Sequence, residues 1–475
     1  MRRAYIVGFA LADTLLLTAC SILPSATPAR ATEPRWRYEV TAGPAAEKLA
    51  VVAEFDGDTD SELTVNEGAE PYIRDVEALE KRGWTRLETR KGSWFLPSPC
   101  RAGCVVRYKV LLRDAAQAEQ DTAVARLFDF AIEAPPSTWL LRPARSRLRT
   151  PFRLRVTTAP GDTFVSGVFP SSDAPGTYEG FTDDHYQLAY AAFGRLRVRD
   201  LDGGRIRVAM LPGPTEGDDA IGRWVETSAR AVEGFYGALP VAHLLILVRP
   251  TAGYSVGFGT TMGHSGAAIS IDVGAQTSPA DFRDDWILVH EMVHTALPDL
   301  EGPQHWLEEG LATYIEPIAR RRAGLLTTEH VWAEWVREMP HGLPAEGDRG
   351  LDRTPTWGRT YWGGALFCLL ADVEIRRRTN NARSLGDALR AVLAAGGSIA
   401  ESWPVSRVIE VGDAATGVPV LRELYDKMAV APVGVDLADL WKRLGVSVRG
   451  NAVTFDDAAP LASVRRGITE EGARP

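Results

Sequence analysis

The chain has 475 residues, of which 45% are apolar and 24% charged, with 44 Gly, 30 Pro and only 4 Cys. That balance excludes wholesale disorder, a collagen-like repeat and a disulfide-dense miniature fold, and the length leaves room for two or three domains. The formal net charge of -9 gives no electrostatic reason to expect nucleic acid as a partner, because phosphate binding draws on clustered Lys and Arg.

Arg2 and Arg3 precede a mostly apolar run from Ala4 to Ala19, which is too short and too terminal to read first as a membrane span. It reads as an export signal. The run closes on Leu17-Thr18-Ala19-Cys20, which resembles the lipobox of bacterial lipoproteins. The resemblance implies a signal peptide over residues 1–20, lipidation at Cys20, and a membrane partner reached through an N-terminal lipid anchor. It also implies a place in the bacterial cell envelope, facing the periplasm or the exterior. Asp13 departs from an uninterrupted apolar run and leaves plain secretion or an uncleaved anchor open. Residues 21–35, rich in Pro, Ala, Ser and Thr, read as a flexible tether.

Residues 36–203 carry short, often alternating apolar stretches separated by Gly, Pro and Asp, as in Leu49 to Phe55, Cys104 to Leu112 and Phe152 to Val156. The pattern predicts a β-rich N-terminal domain, sandwich-like in architecture. Cys100 and Cys104 bracket a three-residue turn, with no second Cys or His pair nearby to complete a zinc site, which predicts a local disulfide. From residue 204 the texture changes. Ile206, Val208 and Met210 alternate as in a strand, Ile221, Trp224, Val225, Ser228, Val232 and Phe235 follow helical spacing, and His243 to Val248 makes another apolar strand. After a Gly-rich stretch from Gly253 to Gly274 most of the chain reads as helical, so the fold class expected is α+β. Cys368, inside an apolar helical run, reads as a core thiol.

Residues 290–294 are His-Glu-Met-Val-His, in a chain with only eight histidines. On the order of 0.01 chance matches to His-Glu-x-x-His are expected in a sequence of this size. Ser278, Pro279 and Asp281 supply an N-cap, a first-turn proline and an acid at the third position, and Pro298 disfavours helix at Leu297. One helix of about five turns is therefore predicted, with the motif near its end. A four-residue separation puts His290 and His294 on one face, able to share a metal. Glu291, beside them, is placed to act on water as a general base without ligating the metal. A third protein ligand is needed. Asp299 is one candidate, and the stretch from Trp306 to Tyr314 holds others.

That stretch, Trp306-Leu307-Glu308-Glu309-Gly310-Leu311-Ala312, together with the His-Glu-x-x-His motif, resembles the gluzincin peptidases, in particular the glycyl aminopeptidase family and the related aminopeptidase N family. Tyr361-Trp362-Gly363-Gly364-Ala365 and the closing segment from Val453 to Gly467 match these families as well, so the likeness spans about residues 204–475 and, more weakly, the β-rich half before them. The resemblance implies a thermolysin-like, mostly helical zinc peptidase domain over 204–475, holding one zinc ion on His290, His294 and Glu309. Glu308 is then the variable neighbour, Glu291 the general base, and Tyr361 the hydroxyl that donates to a developing oxyanion.

The chain departs from these families in one respect. They carry an acid for the substrate's free amine on the strand before the zinc helix, whereas Gly259 to Ile271 holds no Glu or Asp. Gly263 and His264 stand at that place and are the candidate substrate-binding residues, on a strand still able to pair with a substrate backbone. The function expected is zinc-dependent hydrolysis of a peptide or protein substrate by a metal-activated water. Aminopeptidase and endopeptidase action both remain open. The rival readings are a noncatalytic lipid-anchored binding protein on a peptidase scaffold and a zinc hydrolase acting on something other than peptides.

Overall fold

Leu49–Phe55 alternates buried and exposed residues along its whole length, and Trp36–Ala42 is buried at every second position. Strands with that pattern lay one face on a core and offer the other to water. The two pair antiparallel, Trp36 opposite Phe55 and Ala42 opposite Leu49, in the middle of a seven-stranded sheet accompanied by two four-stranded sheets. The structure is a computed structural model and describes residues 35–470 apart from 57–59, 98–102, 146–148, 173, 183–187, 216 and 451. The β-rich half gathers a hydrophobic cluster of its own from Trp36 to Phe193. Cys104 is disulfide-bonded. Its expected partner Cys100, the lipidation candidate Cys20 and nearly all of the tether lie outside the described residues.

A five-stranded sheet follows, in the order Arg197–Leu201, Ile206–Met210, Leu244–Thr251, Ala268–Gly274 and Val256–Met262. The central three strands are parallel, and Val256–Met262 runs antiparallel at one edge. The first six residues of Leu244–Thr251 are all buried, because both faces of the sheet are covered. Leu244, Ile246 and Val248 pack with the helices, whereas Leu245 and Leu247 pack with Ala131, Val165 and Ala192 of the β-rich half. A buried hydrogen bond from Ser270 Oγ to Glu133 Oε1, at 2.6 Å, spans the same contact. Burial pushes the Glu133 carboxyl up, against the opposing pull of Arg249. Among the described residues no helix is long and apolar enough to cross a membrane.

The structure corrects the single five-turn helix before the motif. Ser278 and Asp281 do form the expected capping box, but the helix they open ends at Asp284, and a second one runs from Ile287 to His294. Asp285 is extended between them. Its carboxylate accepts the N–H groups of Ile287 and Leu288 at 3.0 and 3.1 Å, capping the new helix, and also accepts the Trp224 indole at 3.0 Å. Competition by an Asp side chain for local backbone donors breaks a helix that apolar spacing alone would continue.

The helix His305–Arg322 crosses the helix Gly364–Arg378 at a pair of glycines. A Cβ on Gly310 would lie 2.3 Å from Gly364 Cα, and one on Gly364 would lie 2.0 Å from the Trp306 carbonyl. Backbone cannot yield as a side chain can, so Gly310→Ala should destabilise the chain by about 3 kcal/mol, read as a lower denaturant midpoint at unchanged slope. A midpoint within error of the parent would mean that the two helices separate freely.

Candidate active site

The helix Ile287–His294 is buried along most of its length, and its two histidines face Glu309 on the neighbouring helix. His290 Nε2 lies 3.1 Å and His294 Nε2 3.6 Å from Glu309 Oε2. The three donor atoms lie within 4.8 Å of one another. Zinc with ligands at about 2.0–2.1 Å in tetrahedral geometry sets them roughly 3.3 Å apart, so this donor set fits zinc. Glu308 turns elsewhere, accepting the Leu300 N–H at 2.9 Å, and Asp299 is not part of the donor set.

In the metal-free chain the three groups hold one another by charge. Burial works against the proton on His294, but the hydrogen bond and charge of Glu309 outweigh it and push the imidazole up to about 9. Burial alone would raise the Glu309 carboxyl, yet His290 and His294 hold it well below the usual carboxylate range. Such a preformed cluster is what a divalent cation replaces when it enters.

Glu291 projects from the same helix toward the edge strand Val256–Met262. The Thr261 hydroxyl sits 2.7 Å from Glu291 Oε2 and 2.9 Å from the Glu291 carbonyl oxygen. Both partners accept when Glu291 is ionised, so the hydroxyl must donate. Gly259 lets the strand press on the helix, since a Cβ there would lie 2.8 Å from Glu291 Cγ. Bonds to charged groups contribute about 1.5–3 kcal/mol. Thr261→Val should therefore cut kcat by roughly tenfold or more with KM little changed, while Thr261→Ser retains most of the activity. Equal kcat in Val and Ser variants would remove Thr261 from any role in orienting the carboxylate.

Tyr361 comes to the site from a π-helical turn, Gly358–Gly363, directly ahead of the helix Gly364–Arg378. Such turns are rare and recur at functional sites. Arg359 fixes this one, pairing with Asp348 at 2.8 Å and donating to the Gly342 carbonyl. The Tyr361 ring lies 6.4 Å from that of His290. Burial and the carboxylates of Glu309 and Glu291 push its phenol up to about 12, which keeps the hydroxyl protonated as a donor.

These residues line one cleft of about 740 Å³, walled by residues 257–261 of the edge strand, the motif helix, Leu297 to Asp299, Tyr361 and Ile399. Four carboxylates line it, those of Glu291, Asp299, Glu308 and Glu309, and among the described lining residues there is no Lys or Arg. Gly263 and His264 are not in that lining. They lie beyond the strand's end, where the His264 N–H donates to the Ile399 carbonyl at 3.1 Å and its ring faces Asp299 at 3.7 Å. A Cβ on Gly263 would collide with the Ile399 carbonyl. Of this stretch, residues 257 to 261 line the cleft, and Gly263 and His264 do not. Sequence reasoning missed Thr261, Phe258 and Trp286. The period of two along the strand could at most have put Gly259 and Thr261 on one face, since a bulge between Val256 and Gly259 shifts the register before them.

No family profile and no curated sequence matches the chain. Solved structures do, and they identify the fold as that of the M1 zinc metallopeptidases. An aminopeptidase N family protein from Idiomarina loihiensis superposes with a TM-score of 0.64 at 13% identity, covering 87% of this chain and 79% of its own. The M1 zinc metallopeptidase from Deinococcus radiodurans superposes with a TM-score of 0.53 at 14% identity, over 85% of this chain and 95% of its own. A mutant of that enzyme bound to a Tyr-Ser-Ala substrate gives a TM-score of 0.54 at 13% identity.

Proposed function

We propose that the chain is a zinc-dependent peptidase, with His290, His294 and Glu309 as the metal ligands. The observation that carries this reading is convergence. Two imidazoles, a carboxylate clustered with them, a second carboxylate held by Thr261 and a protonated phenol meet in one cleft beside the strand at the edge of the five-stranded sheet. Zinc, when bound, supplies a Lewis acid that polarises a carbonyl and lowers the pKa of water.

The protein's own groups do the rest. The edge strand offers backbone donors and acceptors that align an extended peptide along the cleft. Glu291, its carboxylate fixed by Thr261, takes the proton of the attacking water and returns it to the leaving amine. The Tyr361 hydroxyl donates to the oxygen on which negative charge develops. A Tyr-Ser-Ala substrate occupies a structural relative, which supports a peptide as the class of substrate here. We further propose that residues 36–203 form the β-rich domain and 204–475 the catalytic one, with the mature chain anchored in the cell envelope by lipid at Cys20.

The test is to purify the mature chain, measure bound zinc, and profile cleavage of a peptide library with free and with acetylated N-termini. One zinc per chain and cleavage that stops with chelator are expected. Cleavage restricted to free N-termini assigns aminopeptidase action, and cleavage of both sets assigns endopeptidase action. Absence of stoichiometric zinc would overturn the reading.

A further inference from the structure

Glu309 has two carboxylate oxygens, and they face different partners. Oε2 faces both His290 and His294, whereas Oε1 faces a third imidazole in the cleft, that of His305, whose Nε2 lies 3.5 Å away. The other ring nitrogen of His305 lies 3.1 Å from Glu308 Oε2, and Glu308 Oε1 in turn accepts the Leu300 N–H at 2.9 Å. Leu300 is itself tied down, because its short strand Asp299–Leu300 pairs with Ser402–Trp403. A line of contacts thus runs from fixed backbone through Glu308 and His305 to the oxygen of Glu309 that turns away from the two histidines. Helical spacing makes it possible: His305 opens the helix His305–Arg322, and the residues three and four places on share its face.

Helix stability does not account for a histidine there. A basic ring at a helix N-terminus opposes the helix dipole, and the His305 side chain is 66% exposed, so its ion pairs add little to the fold. A ligating carboxylate, by contrast, needs an outer partner to fix which oxygen it offers. Tyr361 also hydrogen-bonds to Glu309, but its hydroxyl is the donor that a developing oxyanion calls on. His305 is the partner that Glu309 can keep throughout turnover.

We propose, on the ligand set of the peptidase reading, that His305 oriented by Glu308 is a positioning residue that holds Glu309 Oε1 away from the metal, so that Glu309 ligates through Oε2 alone. Two imidazoles and one carboxylate oxygen leave a tetrahedral ion one position for water, and a carboxylate free to swing round and bind by both oxygens would fill it. The adjacent acids Glu308 and Glu309 therefore divide the work. One offers an oxygen to the metal, and the other fixes the ring that keeps the remaining oxygen off it.

The experiment uses the full-length protein, stripped of metal and reloaded with zinc or with cobalt(II). His305→Ala should weaken zinc binding at least about tenfold in competition with a chelator, the usual effect of removing an outer partner of a ligand. His305→Gln, whose amide N–H can reach the same oxygen, should regain most of that affinity. Glu308→Ala should weaken zinc binding several-fold in the parent and much less on the His305→Ala background, because it acts through the ring. Cobalt reads the coordination directly, since its visible absorption weakens as the ligand count rises from about four to five. The parent and His305→Gln should give the stronger bands and His305→Ala the weaker, a change that a general loss of stability would not produce. Zinc affinity and a cobalt spectrum in His305→Ala equal to the parent's would overturn the role of His305 and leave the peptidase reading standing. The expected shifts in a protein that cleaves no peptide would sustain the role of His305 and overturn the peptidase reading. A parent that binds neither ion would overturn both.

Discussion

Glu291→Gln is expected to lower peptide turnover by about 10³-fold while zinc content stays at the parent level. The substitution keeps the shape of the side chain, and its amide oxygen still accepts from Thr261, which reaches both the carboxylate and the carbonyl oxygen of residue 291. What it removes is the capacity to take a proton from water. Glu291 is not among the three clustered donors, so metal retention and thermal stability should change little. Turnover by single-turnover kinetics and metal by atomic spectroscopy separate the two. A variant with a tenth or more of the parent rate would show that another group accepts the proton.

The second large effect concerns the donor set. Glu309→Ala should abolish stoichiometric zinc, and with it both activity and the stabilisation that zinc confers. A metal present at about a thousand times its Kd contributes about 4 kcal/mol, which the parent should display as a rise of several degrees in Tm on zinc addition and the variant should not. The pH dependence has a definite sign. His294 is raised from 6.5 to about 9 in the metal-free chain, so its proton contributes stability that is fully present below pH 6.5 and lost as pH rises through about 9. Glu309 is depressed, so its contribution is present above the ordinary carboxylate range and lost as pH falls. Zinc must displace the His294 proton, and its affinity should therefore climb with pH up to about 9 and flatten beyond. Affinity that is constant between pH 6 and 9 would exclude this competition, as read by calorimetry in two buffers of different ionisation enthalpy.

Much of this site is local enough to be read from sequence. His290 and His294 meet because four residues make about one helical turn, and that spacing is visible in any sequence. Glu309 needed more, because nothing in the intervening residues says how the helix His305–Arg322 lies across the motif helix. Its place was legible only through a resemblance, and the geometry depends on Gly310 and Gly364 meeting, a contact of residues 54 positions apart. The contact of Thr261 with Glu291 was not legible, although strand periodicity gives the face of Thr261. A threonine in a strand is ordinary, and only the close approach of strand to helix at Gly259 turns its hydroxyl onto a carboxylate. The break at Asp285 was missed for the opposite reason. Apolar spacing through Trp286 suits a continuous helix, and an Asp that collects two backbone donors and an indole overrides it.

The five-stranded sheet has consequences for anyone seeking a smaller fragment. Its face opposite the helices is closed by Ala131, Val165 and Ala192, and Ser265, just past the edge strand, exchanges hydrogen bonds with the backbone of Phe181. A fragment starting near residue 204 would uncover Leu245 and Leu247 and release one end of the edge strand that lines the cleft. The first half of the chain is in this sense the backing of the sheet whose edge strand lines the cleft, and the smallest unit that can be made or crystallised is the pair together.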